Sequence, residues 1–170
     1  MPSTYTPLGT TTLTSATNVV NFSSIPSTYT DLIAVLSVRQ TSSATYDVGW
    51  VRANNDGSSI YSSTELFGNG ATAQSFRNTG QSLAYIGQTP SNNSTSGVFG
   101  NIIVNIPNYA NTTTYKTFLS RSNNADTDGR AQATVALWRS TSAISILSFW
   151  TNGANWAVGS TFTLYGVKSA

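Results

Sequence analysis

The chain has 170 residues, 39% of them hydrophobic and only 8% charged, with a net charge of +2 and neither Cys nor His. That length fits one domain with one core. The missing residue types exclude disulfides, thiol nucleophiles, imidazole bases and the commonest metal ligands. The eight cations are scattered from Arg39 to Lys168, with no basic run to neutralise a phosphate backbone, so nucleic acid is not an expected partner.

Aromatic residues make up 11% of the chain, and Val, Ile and Thr are abundant, which distinguishes it from a polar disordered segment. The same residues favour strands, while the strong helix formers are scarce. In chain order, Met1 to Thr12 reads as an extended N-terminal arm containing Pro2, Tyr5, Pro7 and Leu8. Residues 13–170 read as the single folded domain. Val19–Phe22 is a short strand ending before Pro26. Asp31–Arg39 follows, with Leu32, Ala34, Leu36 and Val38 on one face and Ile33 and Val35 on the other, the pattern of a strand covered on both sides. Tyr46–Ala53 stops at Asn54-Asn55-Asp56-Gly57, a turn whose residues tolerate positive φ.

Ile60–Phe67 and Leu83–Ile86 come next, and residues 87–97 form the longest expected loop. Val98–Ile106 ends at Pro107, and Tyr115 leads a strand to Arg121. After the loop Ser122–Gly129, the residues Ala131, Ala133, Val135 and Leu137 line one face of a strand ending at Trp138. Ile144–Trp150 and Phe162–Lys168 complete about nine or ten strands. Short strands at regular spacing predict an all-β protein, an antiparallel β-sandwich of jelly-roll-like type.

Chemistry has few candidates. Lys116 and Lys168 are the only lysines that could activate a Ser or Thr, and both read as solvated strand residues. A glycosidase needs two carboxylates. The acids are Asp31, Asp47, Asp56, Glu65, Asp126 and Asp128, of which Asp56 and Asp128 precede turn glycines. Asp47 and Glu65 are placed to meet if Asn54–Gly57 joins a hairpin, although Arg52 would pair with either. Asn124-Ala125-Asp126-Thr127-Asp128-Gly129 matches the opening of a calcium loop, but Val135 stands where the bidentate Glu belongs. A polar hairpin loop accounts for the same residues. Trp156, between Gly153 and Gly159, is the aromatic best placed to be exposed for stacking on a ligand. The sequons at Asn21, Asn92, Asn93 and Asn111 are expected by chance in so Asn-, Ser- and Thr-rich a chain. The expectation is no enzymatic activity, no cofactor and no bound metal.

The opening residues have neither the cationic start nor the apolar run of a signal peptide, and no stretch approaches the ~18 apolar residues of a membrane span. Synthesis in a cytoplasm is expected.

Three stretches carry a resemblance: Phe22-Ser-Ser-Ile-Pro26 with Tyr29-Thr-Asp31-Leu32, Tyr115-Lys116-Thr117 leading to Arg121, and Gly159 through Phe162 to Gly166-Val-Lys168. Together they resemble a family of small uncharacterised virion proteins of tailed bacteriophages, including those of cyanobacteria. The resemblance spans most of the chain but consists of structural punctuation, with no catalytic motif. It implies a non-enzymatic virion component made in the host cytoplasm. The leading expectation is a capsid cement or decoration protein, with a tail-fibre or spike module binding host glycan as the alternative. Few charges and many aromatics further suggest a homo-oligomer, expected as a homotrimer that contacts the major capsid protein or another virion protein.

Overall fold

The computed structural model describes residues 4–126 and 129–168. It is an antiparallel β-sandwich with no helix among those residues. Twelve strands run as β1 (Tyr5–Thr12), β2 (Val19–Phe22), β3 (Asp31–Val38), β4 (Tyr46–Ala53), β5 (Tyr61–Gly68) and β6 (Ala73–Gln81), then β7 (Ala84–Pro90), β8 (Gly100–Ile106), β9 (Lys116–Asn124), β10 (Arg130–Trp138), β11 (Leu147–Thr151) and β12 (Thr161–Val167). The large sheet has the order β1-β12-β3-β8-β9-β10-β5-β6, and the small one β2-β11-β4-β7. From β1 to β5 the chain changes sheet at every connection.

Two strands exceed the sequence expectation. Residues 5–12 are extended, but they are not an arm apart from the sandwich. They pair with β12 from Tyr5↔Val167 to Thr12↔Thr161 and form one edge of the large sheet. Met1 and Pro2 lie outside the described residues. Removing residues 1–12 would therefore strip β12 of a neighbour. The other addition, β6, forms the opposite edge. Every residue of β6 but the last is exposed, so no buried face imposes an apolar alternation on its sequence. The expected loop at 87–97 is shorter, because β7 continues through Pro90.

The core is apolar toward β1, β3, β8 and β12. There Leu32, Leu36, Ile102, Val104, Phe162 and Leu164 pack against Val51, Leu147 and Phe149 of the small sheet. Burial of this set supplies the main driving force for closing the sandwich, at ~25 cal/mol per Å² of apolar surface removed from water. Toward β9 and β10 the inward face turns polar: Ser120, Ser122, Asn124, Gln132 and Thr134 are all buried. A small side chain is required at Ser122, because β7 approaches closely there. Gly87, at φ 134°, lies so near Ser122 that an added Cβ would stand 2.1 Å from its Oγ.

The outward face of the large sheet reverses the usual pattern. Ala131, Ala133, Val135 and Leu137 form the apolar face of β10 anticipated from sequence, yet they point to solvent, with Val135 49% exposed. On β3 only one face is covered, since Ile33 is half-buried and Val35 is exposed, which corrects the expectation of cover on both sides.

Candidate functional site

Two surfaces stand out, one on each face of the large sheet. Cross-strand register builds the outer one. One row runs Tyr165, Ile33, Asn105, Leu119, Val135, Thr64; its neighbour runs Thr163, Val35, Ile103, Arg121, Ala133, Leu66. Leu66, Leu119, Val135, Val35 and Tyr5 are exposed large apolar side chains. A depression of about 360 Å³ lined by Tyr5, Ile33, Asn105, Pro107, Leu119 and Val167 indents one end. A second, of about 500 Å³, lies around Leu66, Arg121, Ala131 and Ala133. Eight strands spaced about 4.8 Å apart and ~7 residues long give the face roughly 900 Å², close to one partner's share of a standard protein interface.

The inner surface lies where the large sheet overhangs the small one. Glu65 faces inward on β5, opposite Phe76 of β6 and Thr134 of β10. Phe76 is 52% exposed and stacks on the buried Phe67 with ring centroids 5.9 Å apart. Gln132 joins the two sheets. Its Nε2 donates to the Glu65 carboxylate and to the Tyr85 hydroxyl (2.9 Å), and its Oε1 accepts from Ser122 Oγ (3.2 Å). Burial raises the Glu65 carboxyl above its ordinary 4.5, against the Tyr85 hydrogen bond and the Arg130 charge. Burial also raises the Tyr85 hydroxyl. The Arg130 guanidinium lies 4.0 Å from the Phe67 ring centroid and 4.8 Å from that of Tyr46, tying β10 to both sheets through cation–π contacts. Ser63 Oγ and Thr134 Oγ1 are buried beside Glu65 with no hydrogen-bond partner.

The residues singled out from sequence fare differently. Asp47 and Glu65 do not meet across a hairpin, because Asn54–Gly57 crosses from β4 in the small sheet to β5 in the large one. Asn54 and Asn55 take φ of 50° and 55°, and Asn54 Oδ1 accepts from Ser145 and Ile146 amides, holding the crossover against the segment before β11. Asp47 accepts from the Val48 amide. Asp56 accepts from the Ser58 amide and from Trp138 Nε1; the amide bond is the largest influence holding its carboxyl below 3.8. Asp31 accepts from the Asn108 amide.

Trp156 is not an exposed platform but is fully buried. Positive φ at Gly153 and Gly159 turns the loop inward, so the indole packs on Phe162 and donates to the Phe149 carbonyl at 3.2 Å. Lys116 is also buried rather than solvated, donating to the Thr114 and Thr141 carbonyls, and burial lowers its pKa. Lys168 is exposed, 5.5 Å from the Tyr29 ring. In the calcium-like loop, Asn124 is buried and Asp126 accepts from Thr95, both amide and hydroxyl, pinning the loop at 91–99; Thr127 and Asp128 lie outside the described residues. No group of three metal-ligating acids occurs among the described residues. Three sequon asparagines have local work: Asn92 and Asn93 donate to the Thr41 and Ser43 carbonyls, and Asn111 caps the turn at Thr113 and Thr114.

Sequence reasoning missed Phe76, Tyr85, Arg130 and Gln132 as a group. Their meeting depends on β5, β7 and β10 converging, which no local spacing signals. No protein-family model matches the chain. No curated protein matches it either. Among solved structures it is similar to the alginate lyase Aly36B, with a TM-score of 0.31 and 10% identity over 89% of this chain and 70% of that one, a likeness too slight to support any inference.

Proposed function

We propose that this protein is a non-enzymatic structural component of a bacteriophage virion, a capsid cement or decoration protein that acts as a homo-oligomer, expected as a trimer. The observation that carries the assembly role is the outward face of the large sheet. Leu66, Leu119 and Val135 stand about half-exposed on three adjacent strands, β5, β9 and β10, of a face with the area of one partner's share of a standard interface. Burying even half of a patch of this kind favours association, provided shape complementarity offsets the entropy of docking. The virion placement rests on the resemblance of the Phe22–Leu32, Tyr115–Arg121 and Gly159–Lys168 stretches to phage structural proteins.

Two measurements test the two halves of the reading. Sedimentation equilibrium at micromolar concentration is expected to show an oligomer, and a Leu119→Asp, Val135→Asp double variant a folded 18.0 kDa monomer. A monomeric wild type would refute the assembly role. Density for many copies on the capsid exterior is expected in virions; a few copies on the tail would replace cement by the fibre module.

A further inference from the structure

The inner shelf carries an inference independent of where in a virion the protein sits. β6 is an edge strand of the large sheet, and β7 is an edge strand of the small one. β7 packs over β8, β9 and β10 and reaches only the near side of β5, so the inward side chains of β6 lie on a step beyond the edge of the small sheet. Gln74, Phe76 and Asn78 alternate along that step, across β5 from Phe67, Glu65 and Ser63. All three are exposed. The side-chain amides of Gln74 and Asn78 make no hydrogen bond among the described residues, so both donors and acceptors are available.

An aromatic ring flanked by two free amides, over about 13 Å of strand, matches the alternation of a sugar chain. Each pyranose offers an apolar C–H face for stacking and a rim of hydroxyls that donate and accept at once. The hydroxyls of Ser63 and Thr134 next to Glu65 have no hydrogen-bond partner but are closed off from the surface, so the polar group that this floor offers a ligand is the half-buried Glu65. Charge selects among sugars. Glu65 is the acid on this floor, and the nearest cation, Arg130, is held flat between Phe67 and Tyr46. A uronic acid chain would find no net positive charge on this floor, because the Glu65 carboxylate offsets Arg130. The floor is also too polar to be a copy of the outward face, where Leu119 and Val135 dominate.

We propose that the shelf between β6 and the free edge of β7 binds a neutral oligosaccharide, stacked on Phe76 and hydrogen-bonded by Gln74, Asn78 and Glu65. The test is calorimetric titration of the full chain with hexasaccharides of β-1,4-glucose, α-1,4-glucose and β-1,4-mannose, with hexagalacturonate as the acidic probe. At least one neutral hexamer is expected to bind with Kd of about 1 mM or tighter, and hexagalacturonate not measurably. Phe76→Ala should weaken that binding about tenfold with the circular dichroism spectrum unchanged. Asn78→Ala, at an exposed position, provides a second variant should Phe76→Ala fail to fold, and should also weaken binding. Leu119→Asp on the opposite face should leave it intact. Absence of binding to every neutral hexamer, equal binding of hexagalacturonate, or indifference to both shelf variants would each overturn the proposal. None of these results touches the assembly role, which is read by sedimentation.

Discussion

Replacing Arg39 by Met should release the segment between β7 and β8 and cost a large part of the protein's stability. Arg39 is 8% exposed and makes no ion pair with a carboxylate among the described residues; its charge is dispersed over oxygen acceptors. Nη1 donates to Ser94 Oγ, Thr95 O and Val98 O, each at 2.9 Å, and Nη2 donates to Ser94 O at 3.0 Å. Methionine fills the space of the aliphatic stem but leaves the Ser94 and Val98 carbonyls without a donor and Thr95 O with the Val98 amide alone. Each buried acceptor left unpaired costs roughly 1–3 kcal/mol, and opening of the loop to water recovers part of that. A net loss of about 3 kcal/mol is expected, which for a chain of this length lowers Tm by roughly 6–12 °C. Urea denaturation gives the free energy. Hydrogen exchange gives the location, with Ser94 and Val98 amides losing protection before those of β8. A Tm within about 2 °C of wild type would show that the loop holds itself without the guanidinium, and the reasoning would fail.

Other substitutions probe separate parts of the structure. Gly166→Ala places a Cβ 2.5 Å from Tyr29 Cγ and should cost about 1–3 kcal/mol in urea denaturation, whereas a neutral effect would mean the ring moves aside freely. Because burial raises the Glu65 carboxyl above 4.5, the folded state keeps this proton to higher pH than the unfolded chain does. Wild type should therefore lose stability relative to Glu65→Gln as pH rises above 4.5 through the folded-state pKa; a constant gap between their urea midpoints would contradict this. Lys116 is shifted the other way, so its unfolded form binds the proton more tightly. Wild type should gain on Lys116→Met as pH rises toward 10.5, and thermal melts in alkaline buffers showing no convergence would refute it.

Strands were legible wherever burial imposes a period of two. Tyr46–Ala53 coincides with β4 at both ends, and Val19–Phe22 with β2. β6 was invisible because neither of its faces is buried. Residues 5–12 read as an arm from sequence, while the fold makes them an edge strand whose register with β12 shifts between Pro7 and Gly9. Which face of a strand points inward is a different question, and β10 shows why sequence alone misjudges it. Its apolar face, from Ala131 to Leu137, turns outward, while Gln132 and Thr134 turn toward β7, so the more hydrophobic side is not the buried one. The burial of Trp156 is illegible in the sequence for a related reason. Flanking glycines mark a bend, and only the tertiary fold decides whether a bend leads out to solvent or back between the sheets.

Strand order also governs when folding can finish. β12 lies between β1 and β3, and its partners Thr12 and Thr161 are 149 positions apart. At about 5–20 residues per second, a ribosome needs roughly 7–30 s to pass from one to the other. Throughout that interval β1 has no strand to pair with, and β3 lacks one of its two neighbours. The nascent chain meanwhile exposes both faces of an incomplete sheet, the condition in which β-rich chains aggregate. A chain truncated before residue 161 should therefore accumulate as an insoluble or chaperone-bound product rather than as a smaller sandwich.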